Sequence, residues 1–157
     1  MKVLRNLIAG ALLLLAYSVC NSYARSEKDR DALQKTSEAI RAAFARGDVP
    51  AIMVYHHPDV IKALSFQKYL TGHDAVEADL RRTLQQFNLE FEENRVESLL
   101  IQDNTAVEQT VFAIKSTPKS GGEPYLFRGR TQVVYVRYEK SPTGWASIRE
   151  IIQPATD

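Results

Sequence analysis

From residue 26 onward the apolar positions change period along the chain. Leu33, Ile40 and Phe44, with Ala39 and Ala43 beside them, fall at helical spacing. Ser26-Glu27-Lys28-Asp29 ahead of them matches a capping box, with a hydroxyl acceptor and an acid three residues on. Gly47 stands where such a helix would stop in a left-handed conformation. Asp48-Val49-Pro50 predicts a short second helix, because Asp caps and Pro suits the first turn, with its end near His56-His57-Pro58. Residues 59–70 read as a short strand pair or extended segment. Thr71-Gly72-His73-Asp74 is a second capping-box candidate, ahead of a third helix whose apolar stripe is Val76, Leu80, Leu84 and Phe87. Arg81, Arg82, Gln85 and Gln86 lie off that stripe and are expected to face water.

The period then falls to two. Leu89–Ile101 alternates, Asp103-Asn104 is a two-residue turn that tolerates positive φ, and Thr105–Thr117 returns as the next strand. Pro118 to Gly122 is a looser connection to a third strand, Tyr125–Glu139, rich in β-branched and aromatic residues. Ser141-Pro142-Thr143-Gly144 turns the chain into a last strand, Trp145–Gln153. Strands joined by tight turns form an antiparallel meander. Helices first and a meander second make an α+β plan, with three N-terminal helices packed on one face of a strongly curved antiparallel sheet.

The first residues follow a different pattern. Lys2 and Arg5 precede an apolar run, Leu7 to Ala16, and Ser22-Tyr23-Ala24 supplies small residues for cleavage. This is the layout of a secretory signal, so residues 1–24 are expected to be removed and residues 25–157 to form the working domain, periplasmic or secreted. The run is shorter than the roughly 20 apolar residues of a membrane span. A retained anchor and lipidation of Cys20 are the alternatives, and through them alone would the protein meet a membrane. Cleavage takes away two cations and no acid, so 20 Lys and Arg become 18 against 19 Asp and Glu. A slightly acidic domain lacks the cationic excess that nucleic-acid binding requires. Cys20 is the only cysteine, so the mature domain has neither disulfide nor thiol chemistry and depends on its core.

The order of these elements resembles the nuclear transport factor 2-like superfamily, and within it the SnoaL-like, ketosteroid isomerase-like group. Phe44-Ala45-Arg46-Gly47-Asp48, His57-Pro58-Asp59-Val60, Thr71-Gly72-His73-Asp74-Ala75-Val76 and Gly144-Trp145-Ala146-Ser147-Ile148-Arg149-Glu150-Ile151 carry the resemblance. It implies a cystatin-like cone with a pocket open at the wide end, and frequent homodimers. Some such proteins are isomerases, dehydratases or cyclases, and others only bind ligands, so the fold does not name the activity. Several catalytic branches carry a His in the last strand, where this chain has Arg149, Glu150 and Gln153.

The candidate chemistry is sparse. His56, His57 and Asp59 are the most polar cluster near the expected pocket mouth. A neutral imidazole oriented by a carboxylate is a usable general base, which makes His57 and Asp59 the catalytic candidates; capping the helix end is the plain alternative. Adjacent histidines on a helix point about 100° apart and do not share a metal. With three histidines and no mature cysteine there is no zinc-type spacing, and no metal or cofactor is expected. His73 is read as a surface residue of its turn. On the last strand, strict alternation places Trp145, Ser147, Arg149, Ile151 and Gln153 on one face, opposite Ile148, Glu150 and Ile152. An Arg inside a cone needs an anionic partner, such as Glu108, Asp59 or a ligand carboxylate. Tyr55, Tyr69, Tyr125, Tyr135 and Trp145 could line a pocket, though such aromatics are more often core; Tyr55, Tyr69, Tyr135, Trp145 and Arg149 are taken as the ligand-binding candidates.

Three functions fit. The first is an exported domain that binds a small apolar or weakly acidic molecule without catalysis. The second is an isomerase, dehydratase or hydrolase with His57 or Asp59 as base. The third is a dimeric accessory module working through an outer sheet face that carries Val134, Val136, Ile148 and Ile152.

Overall fold

The computed structural model describes residues 26–155. The expected leader of residues 1–24, its cleavage site and Cys20 lie outside the described residues. Helix α1 covers residues 26–46. Ser26 is already helical and so does not cap; Asp29, expected as its partner, is instead buried and paired with Arg137. Gly47 ends α1 at φ +68°, and the amides of Gly47 and Asp48 take up the carbonyls of Phe44 and Ala43. Asp48 then caps α2 (Val49–Met53), its Oδ1 accepting from the Ala51 amide at 3.1 Å.

The second helix stops earlier than expected. His56 opens strand β1 (His56–Ala63) instead of closing α2. The reason is Pro58: the residue before a proline is pushed to extended backbone, so helix cannot run through His57. Strand β2 (Tyr69–Thr71) pairs antiparallel with β1 and completes the expected short strand pair. Helix α3 (His73–Gln86) is capped by Gly72 at φ +86° with no side-chain cap bond. Thr71, the expected cap, ends β2 instead. Val76 and Leu84 of α3 pack with Ala43, Val49, Ile52, Met53 and Val60 in one core.

Strands β3 (Phe87–Gln102), β4 (Thr105–Pro118), β5 (Tyr125–Arg137) and β6 (Trp145–Pro154) form the meander, each antiparallel to the next. The sheet as a whole is mixed, in the order β2-β1-β6-β5-β4-β3, because β1 lies parallel to β6. The result is an α+β architecture with a six-stranded mixed sheet. Register shifts interrupt β3 between Phe91 and Glu93 and between Val96 and Ser98, and the β5–β6 pair at Val134 and Tyr135. Such bulges bend a strand and raise its twist. Among the described residues no helix is long and apolar enough to cross a membrane.

A second core joins α1 to the sheet through Leu33, Ala106, Val133, Tyr135 and Trp145. The Arg137 guanidinium lies 4.1 Å above the Trp145 ring and is 2.5 Å from Asp29 Oδ1, so one cation ties α1 to β5 and β6. Trp145 is fully buried, with its indole N–H unpaired among the described residues. Burying some 200 Å² of indole contributes about 5 kcal/mol. An orphaned donor costs about 1–3 kcal/mol, so burial wins.

The meander closes tightly at Gly129, which faces Phe112 across β4. A Cβ there would stand 2.6 Å from the Gln153 carbonyl oxygen and 3.1 Å from Phe112 Cζ. Because the first contact is backbone, Gly129→Ala is expected to destabilise the domain by about 1–3 kcal/mol. Urea unfolding should show a lower midpoint at unchanged m-value; an unshifted midpoint would contradict this packing.

Candidate functional site

The inward faces of the strands, with α1 and α3 across from them, enclose a cavity of about 750 Å³. Its lining follows strand parity. Strand β4 contributes Glu108, Thr110, Phe112, Ile114 and Ser116, and β5 contributes Phe127, Thr131, Val133 and Tyr135. On β6 the parity breaks. Tyr135 pairs with Ser147 while Val134 pairs with Arg149, so Ile148 is an extra residue. Ser147 faces the cavity before this bulge, and Glu150 and Ile152 face it afterwards. The same happens on β3, where Phe91 and then Asn94 line the space on either side of a register shift. Ile40, Arg41 and Phe44 of α1 and Asp79, Leu80 and Thr83 of α3 complete the walls.

The most buried polar groups gather on the inner wall. His56 is paired with Ser147 across β1 and β6, and its Nδ1 is 3.0 Å from the Ile52 carbonyl oxygen. A carbonyl only accepts, so Nδ1 carries the proton and Nε2 keeps a lone pair. Burial, then the charge of Lys62, drives the His56 pKa well below its ordinary value; the Ile52 bond acts the other way and His73 adds slightly to the depression. The ring is therefore neutral near pH 7. Lys62 is bound by Glu150 at 2.5 Å, both mostly buried, and Thr131 Oγ1 donates to the same carboxylate at 3.3 Å. Burial raises the Glu108 carboxyl, opposed by a hydrogen bond from Thr110 at 3.4 Å and by the charge of Arg41. Tyr135 is pushed well above the ordinary tyrosine value by burial and then by Glu108 and Glu150, so it stays a phenol. Ser147 Oγ is buried and has no hydrogen-bond partner among the described residues.

A separate ionic group lies at the open edge. Asp79, 4% exposed on α3, receives Lys68 Nζ at 2.7 Å on one oxygen and Arg82 Nη2 at 2.6 Å on the other. Burial alone would raise the Asp79 pKa; the hydrogen bonds and charges of Lys68 and Arg82 outweigh it and hold the carboxyl low. Both cations remain substantially solvent-exposed.

Of the catalytic and ligand-binding candidates, Tyr135 lines the cavity and His57, Asp59, Tyr55, Tyr69, Trp145 and Arg149 lie outside its lining, whereas His56 of the polar cluster and Glu108 line it. Trp145 is core. Tyr69 is 62% exposed, and Tyr55 is half-buried beside β6, its carbonyl accepting from the Ser147 amide. Arg149 is exposed and donates to the carbonyls of Asp59 and Ile148 instead of meeting an anion. The Ile148 bulge is the physical reason: it turns Arg149 out and Glu150 in. It also brings Ile152 inside, away from the outer face expected for it. His57 and Asp59 do come together, His57 Nδ1 accepting from the Asp59 amide at 3.2 Å, with the imidazole edge-on to Tyr138. The Asp59 side chain is 83% exposed, however, and neither residue lines the cavity. His56 does, because adjacent residues of a strand point to opposite faces. Among the described residues no group of three or more His, Cys, Asp or Glu side chains is arranged to hold a metal. Of the inner-wall acids, Glu108 was read only as a possible partner for an inward Arg149 and Glu150 only as lying on the opposite face, although one signal for Glu108 was available. Glu108 shares its alternating face with Phe112 and Ile114, where a charge is out of place unless it serves a cavity.

No protein-family model matches the chain, and no curated protein matches it in sequence. Solved structures do. A conserved protein from Planctomyces limnophilus superposes with TM-score 0.72 at 19% identity, over 81% of this chain and 98% of that one. A ketosteroid isomerase-like protein from Erwinia carotovora gives 0.69 at 12% identity, over 81% and 96%. A nuclear transport factor 2-like superfamily protein from Salmonella enterica gives 0.70 at 12% identity, over 85% and 94%. The chain therefore has the nuclear transport factor 2-like fold, as its sequence pattern implied. At these identities the similarity establishes the fold alone.

The inner wall has a pH signature. His56 binds its proton less readily folded than unfolded, so its contribution to stability is complete above 6.5 and is lost as pH falls through that value. Glu108 has the opposite sign: its contribution is present below 4.5 and is lost as pH rises through its elevated value. Between about pH 7 and pH 5 the two oppose each other, so the His56 part is read by difference: on acidification the urea midpoint of the native chain should fall relative to that of His56→Gln. Nitrogen NMR should find His56 neutral and protonated on Nδ1 at pH 7. A charged ring there, or an identical pH slope in the variant, would refute the assignment.

Proposed function

We propose that this chain is an exported domain that binds a small, mainly apolar molecule in its internal cavity. The observation that carries the reading is the cavity itself: about 750 Å³ of space, walled largely by aromatic and aliphatic side chains, with a buried Ser147 hydroxyl that has no partner among the described residues. Small-molecule sites have this build, apolar walls with a few convergent polar atoms. An unpaired buried hydroxyl costs about 1–3 kcal/mol, which a ligand acceptor would offset. The bulged sheet facing α1 and α3 supports the cone picture, with the exposed Lys68 and Arg82 among the residues that line its cavity.

A second reading, an acid–base enzyme of the isomerase or dehydratase kind, draws on His56. A neutral imidazole with Nδ1 tied to a carbonyl offers Nε2 as a base, Tyr135 is a donor on the same wall, and Glu108, whose carboxyl burial raises, is an ionisable neighbour. In this reading His56 takes the place of His57 and Asp59. The ketosteroid isomerase-like structure from Erwinia shares the fold and lends the reading only that. A positively charged His56 at neutral pH would leave it without a base.

Two measurements follow. Titration with N-phenylnaphthylamine, a neutral fluorophore, should saturate at one molecule per chain. Ile114→Trp, which fills the cavity from β4, should weaken it about ten-fold or more. A chain that never enhances the fluorescence, or a variant that binds equally well, would argue against the cavity as the site. For export, expression in a bacterium with a general secretion pathway should yield protein whose intact mass begins at Arg25; recovery of the full-length chain from the cytoplasm alone would refute it.

A further inference from the structure

We propose, building on the ligand-binding reading above, that the molecule is an organic anion: its acid group is held between Lys68 and Arg82 at the cavity's open edge, and its apolar body points inward. The charge distribution carries the inference. Four cations line the cavity, Arg41, Lys62, Lys68 and Arg82, against the acids Asp79, Glu108 and Glu150. On the inner wall the cation Lys62 is already committed to Glu150 at 2.5 Å. An anionic group placed there would meet the acids Glu150 and Glu108, and Arg41, the other cation on that side, bonds Ser37 and acts on Glu108, so the inner wall favours a neutral hydrogen-bonding atom over a charge.

The edge is different. One carboxylate, Asp79, faces two cations and spends one oxygen on each. The local excess is one positive charge. An ammonium has three donors and a guanidinium five, so a single bond to Asp79 leaves most of them free, on side chains that are 43% and 66% exposed. Asp79 is nearly buried and cannot follow its partners outward, so it positions the two cations. Leu64, Leu70 and Leu80 line the cavity beside this group and give the ligand's body an apolar surface directly behind its acid.

Two probes with the same ring system separate the possibilities: neutral N-phenylnaphthylamine and its anionic relative anilinonaphthalenesulfonate. The variants are Arg82→Gln alone and the triple Lys68→Gln, Asp79→Asn, Arg82→Gln, in which no carboxylate is left buried without a partner. The triple variant should lose about ten-fold or more in affinity for the anionic probe, and Arg82→Gln a smaller part, while the neutral probe changes less than about two-fold. Added salt should weaken only the anionic probe. Ile114→Trp should displace both, placing them in the cavity. If the neutral probe binds and the anionic one is insensitive to the triple variant, the clamp is overturned and the ligand-binding reading stands. If neither probe binds the native chain, the ligand-binding reading falls and the clamp with it.

Discussion

Between Ser147 and Arg149, strand β6 carries one residue more than β5 provides a partner for. The site depends on that residue, Ile148. Side chains alternate along a strand, so one extra residue exchanges the two faces for everything beyond it. Before the bulge, Ser147 sits between His56 and Tyr135 on neighbouring strands and faces the cavity. Beyond it, Glu150 and Ile152 face inward beside Val133 and Thr131, and Arg149 is delivered to solvent. Without the bulge, Arg149 would lie in the cavity and Glu150 outside it. The inner wall would then be cationic, and Lys62 would have lost its partner.

The exchange also explains how a cavity holding several ionisable groups remains affordable. Buried charges are tolerated when paired and hydrogen-bonded, and otherwise shift toward their neutral forms. Both solutions appear. Lys62 and Glu150 are paired, with Thr131 bonding the carboxylate, and Asp79 is paired twice. His56, Glu108 and Tyr135 are instead driven toward neutrality by burial. The wall that results offers hydrogen-bonding atoms of both kinds with its Lys62 ammonium paired, while at the edge two cations share one carboxylate. That division gives the cavity a polarity along its length.

Farther along the same face of these strands, beyond the cavity, Asp29, Arg137 and Trp145 perform a purely structural task. Arg137 bonds a helix carboxylate with its guanidinium edge and covers the indole with its face. This contact fixes α1 against the start of β6, near the beginning of the wall that leads to Ser147. Trp145 was an attractive ligand residue from composition, and its position two residues before Ser147 shows why it is not one. The wall at that point is closed by α1 through Leu33.

The sequence by itself determined what depends on short-range pattern. The helical stripe of Leu33 and Ala43, the stop at Gly47, the Asp48 cap, and the turns at Asp103 and Ser141–Gly144 are local, and each is present as read. The four long strands were legible for the same reason, and their order with the helices sufficed to point to the fold. The tertiary structure alone decided which residues meet. Pro58 converted an expected helix end into a strand start, so that His56 and not His57 faces inward. The parallel pairing of β1 with β6 brought residues nearly a hundred positions apart into one wall. A bulge leaves no mark in hydrophobic periodicity, because its extra residue is set by the register of the neighbouring strands. Strict alternation therefore selected Arg149 where the folded sheet presents Glu150.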